Sequence, residues 1–168
     1  KPMVLIGRRP IVWHIINYYS YYGINKFIIC CGYKGKIIKD YFDIKNSKKS
    51  YFKELIHKNP KIRIDCIDTG LNTMTGGRIK KIYKYIKNDP FFFLTYGDGL
   101  SDVNIKKQLI FFKKHQKLAL VTAVRQPSRF GLMKIKGNLV EQFKEKPIGS
   151  TTERINGGFF ILRPEIIK

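Results

Sequence analysis

Acidic side chains are scarce in this 168-residue sequence: 12 aspartates and glutamates stand against 33 lysines and arginines, a formal net charge of +21. That imbalance invites a nucleic-acid or acidic-surface reading. The basic residues, however, are spread over nearly every predicted helix and several loops. The chain is also rich in Ile, Asn, Tyr and Phe, whose codons are AT-rich. The lysines are therefore read as mutational bias in an AT-rich genome, an expectation that a GC-balanced upstream coding region would contradict. There are three cysteines. Cys30 and Cys31 lie together inside an apolar run and no pair has metal or redox spacing, so reduced core thiols of a cytosolic protein are expected. His14, His57 and His115 are scattered, none four residues from another, which argues against a zinc site. No apolar run approaches the roughly 20 residues a membrane helix needs. The densest run, residues 91–94, suits a strand. No secretory pattern is found, so a cytoplasmic protein that does not engage membranes is expected. The sequence opens Lys1-Pro2-Met3-Val4 rather than with an initiator Met, which is read as a first sign of truncation.

What is present is alternation. Val12, Ile15, Ile16, Tyr19 and Tyr22 recur at helical spacing, with Pro10 suited to the first turn and Gly23 to the position past the end. Residues 26–31 are apolar and β-branched, hence a strand. A helix is expected over 36–42, and residues 43–60 are read as a lysine-rich surface excursion with a weak helical patch at 52–56. Residues 62–67 read as a strand. Ile79, Ile82, Tyr83 and Ile86 trace one amphipathic helix opening at Gly76-Gly77, with Thr75 as candidate N-cap. Residues 91–96 are apolar on both parities, the pattern of a strand buried on both faces in a parallel sheet. Asp102 is placed as cap of a helix carrying Ile105, Leu109 and Phe112, and 118–124 as a strand. This order argues an α/β, Rossmann-like, doubly wound sheet. Beyond Pro127 the pattern becomes strand after strand: 132–135, 139–143 and 155–162, the first two joined by the hairpin signal Lys136-Gly137-Asn138. The sheet is thus mixed. There is no internal repeat or low-complexity linker, and a single domain is expected over 1–168.

Ligands of open α/β sheets bind beyond the carboxyl ends of the strands. After the most apolar strand comes Tyr96-Gly97-Asp98-Gly99. A carboxylate between two glycines suits a metal or phosphate that approaches the backbone closely, though a turn with a capping Asp fits equally. Thr73-Met74-Thr75-Gly76-Gly77-Arg78 exposes backbone N–H groups at a helix start, which suits anions and carbonyl oxygens. Alternatively, the loop simply needs positive φ. It is not a P-loop, since the Gly-Lys-Ser/Thr ending is absent. In Glu145-Lys146-Pro147 the proline holds the preceding residues extended, so that a Glu can accept from sugar hydroxyls while a Lys meets a phosphate. A plain surface turn is the alternative. Ile155-Asn156-Gly157-Gly158-Phe159 places a short amide and two glycines at the start of an apolar strand.

Taken in order, the opening Lys1-Pro2-Met3-Val4 with Gly7, Pro10 and Trp13-His14-Ile15, then Cys31-Gly32-Tyr33-Lys34-Gly35, Asp68-Thr69-Gly70, Met74-Thr75-Gly76-Gly77-Arg78, Tyr96-Gly97-Asp98-Gly99, Arg129-Phe130-Gly131, Glu145-Lys146-Pro147 and Ile155-Asn156-Gly157-Gly158-Phe159-Phe160 resemble the sugar-phosphate nucleotidyltransferases along nearly the whole length. The Asp-Thr-Gly and Met-Thr-Gly-Gly-Arg segments look most like the glucose-1-phosphate cytidylyltransferase branch.

The resemblance implies a fold of the nucleotide-diphospho-sugar transferase type. It implies transfer of a cytidylyl group from CTP to glucose 1-phosphate, in line and without a covalent enzyme intermediate, with Mg²⁺ as cofactor. By the family pattern Lys1 meets the triphosphate and sugar phosphate, and Asp98 holds the metal. Thr75, Gly76 and Gly77 contact the base. Glu145 binds sugar hydroxyls and Lys146 the sugar phosphate, and Gly131, Asn156 and Gly157 belong to the sugar pocket. A homo-oligomer is implied for the full-length protein, acting in nucleotide-sugar and polysaccharide biosynthesis. Two departures stand out. The family's Gly-rich loop with Gly-Thr-Arg, together with the first sheet strand, is expected before Lys1. A second metal-binding aspartate is expected downstream of Phe160. The chain is accordingly read as incomplete at both ends, and the 168-residue stretch alone as inactive and poorly stable. The alternatives kept open are a thymidylyl- or uridylyltransferase, an inactive remnant of a decayed gene, and a basic module whose nucleic-acid binding would depend steeply on salt.

Overall fold

A computed structural model describes residues 1–43, 51–125, 132–144 and 154–167. Two short paired segments, β1 (Leu5–Ile6) and β2 (Arg9–Pro10), precede helix α1 (Ile11–Tyr21). Pro10 is extended (φ −69°, ψ 154°) and enters the helix without a side-chain cap. Past the C-terminus Gly23 takes φ +85°, a conformation that costs glycine little. Then follow β3 (Lys26–Cys31), α2 (Gly35–Phe42), α3 (Tyr51–Lys58), β4 (Arg63–Asp68), α4 (Thr75–Lys81), α5 (Tyr83–Ile86), β5 (Phe92–Leu94), α6 (Ile105–His115), β6 (Ala119–Arg125), β7 (Leu132–Lys136), β8 (Leu139–Lys144), β9 (Arg154–Leu162) and a 3₁₀ turn, η1 (Pro164–Ile167).

Among the described residues the main sheet is in two pieces, beside the separate two-stranded pairs β1–β2 and β7–β8. β3 and β4 pair parallel in register from Lys26–Arg63 to Cys31–Asp68. β9 runs antiparallel between β5 and β6. Among the described residues, β3 and β5 each have one hydrogen-bonded strand neighbour. α1 spans both pieces. Val12, Trp13 and Ile16 pack with Cys31, Ile38, Phe42, Leu55 and Ile62, while Ile15 and Tyr19 pack with Ile105 and Phe159. The stacked rings of Tyr19 and Phe159, 6.0 Å apart, tie α1 to β9. Alternation along β9 decides the layers. Phe159, Ile161 and Leu162 are buried, Phe159 in the cluster of α1 and α6, whereas Phe160 is half-buried and, with Leu162, lines a cleft shared with α4 and η1.

Several expectations require correction. The strand expected over 91–96 is only three residues long. Its described partner is antiparallel, and its residues are half-buried rather than fully enclosed, because one face opens on that cleft. The region read as a surface excursion carries a full two-turn helix, α3, whose Leu55 is 0% exposed and plugs the α1–α2 core. The helix expected to start at Asp102 starts later: Asn104 is the cap, its side chain accepting from the Lys107 N–H at 2.9 Å. Thr75 is already helical. The cap position is Met74, which offers no side-chain acceptor. The single helix expected through Ile79–Ile86 breaks at Ile82 into α4 and α5. The hairpin is confirmed: Gly137 takes φ +60° between β7 and β8. All three thiols are free, with Cys31 buried. The Cys31 thiol is lowered to about 7 by its hydrogen bond with Cys66, which is raised in turn. No described helix is long and apolar enough to cross a membrane.

Candidate active site

The carboxyl ends of β3, β4 and β5 carry the three glycine-containing segments singled out above. At the first two, the chain is locked by a polar knot built around the buried Thr69. Parallel pairing continues one residue past β4, with the Thr69 N–H donating to the Cys31 carbonyl at 2.8 Å. The Thr69 hydroxyl, 0% exposed as a residue, donates to the same oxygen at 2.8 Å. Arg78, in the first turn of α4, sends its guanidinium back to the Cys31 carbonyl (3.2 Å), to Thr69 Oγ1 and to the Leu71 carbonyl (3.3 Å). Gly32 makes room for it: a Cβ there would lie 2.5 Å from Arg78 Nη2. Lys81 adds bonds to the Thr69 carbonyl and Thr73 Oγ1, both 2.9 Å. Gly70 at φ +87° turns the chain, its N–H donating to Asp68 Oδ1 at 2.8 Å.

This knot fixes the start of α4, where Thr75, Gly76 and Gly77 lie. Neither glycine has positive φ, which removes the alternative that the loop simply needs that conformation. A Cβ on Gly77 would approach Thr73 Cγ2 to 3.0 Å, while one on Gly76 would meet nothing within 4 Å. Packing among the described residues therefore does not require a glycine at 76.

Lys1 and Asp98 meet although 97 positions separate them in sequence. Lys1 Nζ lies 3.8 Å from Asp98 Oδ2, with 85% and 38% of the two side chains exposed. The opening turn is pinned from both sides. Val4 N–H donates to the Lys1 carbonyl at 2.9 Å and Val12 N–H to the Pro2 carbonyl at 3.0 Å. The Pro2 ring lies against Gly97, where a Cβ would sit 3.1 Å from Pro2 Cγ. Gly97 is thus the close-approach residue that lets an ammonium and a carboxylate face one open space. Such a pair can bind a phosphate through the lysine and a divalent cation through the aspartate. Among the described residues no group of three or more His, Cys, Asp or Glu forms a self-sufficient metal cage.

Asn156, at the start of β9, comes to the same end of the sheet. Its Nδ2 donates to the Tyr96 hydroxyl at 3.1 Å and its Oδ1 accepts from the Gly158 N–H at 2.8 Å. Gly157 has a packing reason for its size: a Cβ would lie 2.9 Å from Val124 Cγ1 and 3.0 Å from the Thr122 carbonyl, beside the register shift between β6 and β9. The cleft on this face, about 410 Å³, is lined by Thr75 and Ile79 of α4, by Tyr96 and by Phe160 among others, and so joins the α4 start to the β5 end. Gly131, Glu145 and Lys146 lie outside the described residues. Sequence reasoning missed Tyr96 and Arg78 as working side chains. Their position inside the two singled-out segments was the available signal.

The nucleotidyl transferase family description matches residues 1–168. The chain belongs to the nucleotidyl transferase family. It is 46% identical to the glucose-1-phosphate cytidylyltransferase of Salmonella typhimurium over 99% of its own length and 68% of that protein's. It is 36% identical to a probable glucose-1-phosphate cytidylyltransferase of Bacillus subtilis, over 99% and 67%. Among solved structures it superposes on HddC from Yersinia pseudotuberculosis complexed with GMP-PN (TM-score 0.63, 26% identity, 99% of this chain and 68% of that one). It also superposes on a UDP-glucose pyrophosphorylase complexed with UDP-glucose (TM-score 0.70, 18% identity, 99% and 69%), a likeness of fold. The expected nucleotide-diphospho-sugar transferase fold is therefore the observed one, and the protein is a sugar-1-phosphate nucleotidyltransferase spanning about two thirds of its relatives' length.

Proposed function

We propose that the intact protein transfers the cytidylyl group of CTP to α-D-glucose 1-phosphate, releasing pyrophosphate and CDP-glucose. The observation that carries this choice of base and sugar is the 46% identity, across 99% of the chain, to an enzyme of that name. An oxygen of the sugar phosphate attacks the α-phosphorus in line as the bond to the pyrophosphate oxygen breaks. The work of this chain's residues is then positioning and charge neutralisation. Lys1 neutralises the phosphates that meet at its Nζ, and Thr75, Gly76 and Gly77 present the start of α4 to the nucleotide. Asn156 faces the sugar, a part shared with Gly131, Gly157, Glu145 and Lys146. Asp98 fits the cofactor: Mg²⁺ is commonly bound by one or two carboxylates plus substrate phosphates, and an exposed carboxylate at a strand end suits that mode. Bound there, Mg²⁺ supplies charge stabilisation at the α-phosphate.

The test is an assay of the intact protein with glucose 1-phosphate, Mg²⁺ and each of CTP, dTTP, UTP and GTP. The expected result is a preference for CTP, with Asp98→Asn lowering kcat by about 10² or more. A higher kcat/KM with dTTP or UTP would transfer the assignment to the thymidylyl- or uridylyltransferases. No turnover with any triphosphate would support an inactive remnant.

A further inference from the structure

Tyr96 is an exposed aromatic residue, 43% accessible, yet its ring is held on several sides. It packs close to Gly158, where a Cβ would lie 3.1 Å from Tyr96 Cδ2, and Gly158 itself takes φ +88°. Phe160 meets the ring edge-on, centroids 6.1 Å apart at 85°. The hydroxyl accepts from Asn156 Nδ2 at 3.1 Å. A tyrosine that only covered the sheet would not need its hydroxyl directed.

The hydrogen count around this pair leaves a definite remainder. The Asn156 amide cannot be flipped, because its Oδ1 accepts the Gly158 N–H at 2.8 Å. Its nitrogen therefore faces Tyr96 and spends one of two hydrogens there. A phenol carries one donor and two acceptor sites. Since the Tyr96 oxygen accepts from Asn156, its own proton is available, and among the described residues it has no acceptor. Tyr96 and Asn156 thus offer one O–H and one N–H donor, side by side, two residues from Asp98.

We propose that the Tyr96 hydroxyl, oriented by Asn156, donates to an oxygen of the sugar 1-phosphate, so that Tyr96 and Asn156 act as one specificity-determining donor pair. The proposal rests on the sugar-1-phosphate reading of the site. It assigns Tyr96 to the acceptor substrate and not to the nucleotide. A paired donor array recognises a ligand rich in hydroxyl and phosphate oxygens, and discriminates against analogues lacking the matching oxygen, because the donors would then be left unpaired.

The experiment is steady-state kinetics of the intact protein carrying Tyr96→Phe, Asn156→Ala or both. Tyr96→Phe keeps the ring on Gly158 and Phe160 and deletes only the hydroxyl. The expected result is a rise of about five- to tenfold in KM for the sugar 1-phosphate, the size of one lost hydrogen bond. KM for the nucleotide is expected to change less than about twofold and the melting temperature to stay near wild type. The double variant is expected to be little worse than the worse single, since the two act as a unit. An unchanged sugar-phosphate KM in Tyr96→Phe, or equal shifts in both KM values, overturns the proposal. Absence of turnover by the wild-type protein would instead overturn the enzyme reading beneath it.

Discussion

Gly32→Ala should destabilise the protein when Arg78 is present and stabilise it when Arg78 is absent. The Gly32 backbone lies outside the left-handed region, so alanine is conformationally permitted. Such a change normally adds about 0.4–1 kcal/mol by restricting the unfolded chain. In this protein the new methyl would lie 2.5–2.9 Å from three atoms of the Arg78 guanidinium and would evict it. Eviction loses the bonds to the Cys31 carbonyl, Thr69 Oγ1 and the Leu71 carbonyl. Two of these are long, at 3.2 and 3.3 Å. The Cys31 carbonyl keeps both donors from Thr69, and the Thr69 hydroxyl, though it loses the Arg78 donor, still donates to that carbonyl. The loss is therefore nearer that of one charge-assisted bond than of three, about 1.5–3 kcal/mol. Set against the gain, Gly32→Ala should cost a net of about 0.5–2.6 kcal/mol, about 1–10 °C in melting temperature at 2–4 °C per kcal/mol for a chain of this size. In an Arg78→Ala background the methyl meets no guanidinium, and the same substitution should raise stability by about 0.4–1 kcal/mol. Urea denaturation of the four proteins of the cycle measures both numbers. An equal cost for Gly32→Ala in both backgrounds would refute the reasoning.

Two more outcomes separate structural from functional roles. Gly76→Ala should raise the melting temperature slightly, since alanine is the better helix former by up to about 1 kcal/mol and a Cβ there meets nothing, yet it should raise KM for the nucleotide. Higher stability with an unchanged nucleotide KM would remove Gly76 from the binding surface. Glu54 is held below the usual carboxylate range, chiefly by the hydrogen bond from Arg9, whose Nη2 lies 2.7 Å from Oε2, and with help from Lys58 at 3.4 Å. A depressed carboxylate pKa adds stability above the unfolded value of about 4.3 that is lost as pH falls through the folded one. Glu54→Gln should accordingly lower stability near pH 7 by up to about 1 kcal/mol, and the difference from wild type should shrink as pH falls below the unfolded carboxylate value, as followed by thermal melts across pH.

Local patterning made much of the fold legible. Helix α1 and strand β3 lie where their periodicity places them, because a 3.6-residue stripe and an apolar run each bury on a known face. The misses have identifiable physics. Ser101, Asp102 and Asn104 can all cap a helix, and the apolar stripe beginning at Ile105 favours Asn104 only in hindsight. Leu55 sits among lysines, and composition conceals that one residue of a polar helix can fill a core. Apolar parity on both faces suggested a parallel neighbour for β5, but pairing direction depends on which distant strand arrives, and β9 arrives antiparallel.

By itself the sequence determined the alternation of helices and strands, the order of its glycine-bearing turns and hence the family, since these depend on residues close together in the chain. Only the tertiary structure decided which of those turns converge. Lys1 faces Asp98 because Pro2 fits against a residue with no side chain, and Asn156 faces Tyr96 because β9 inserts beside β5. The physical reason is range: periodicity and turn chemistry act over a few residues, whereas these contacts close loops of 60 and 97 residues and exist only once the sheet has assembled.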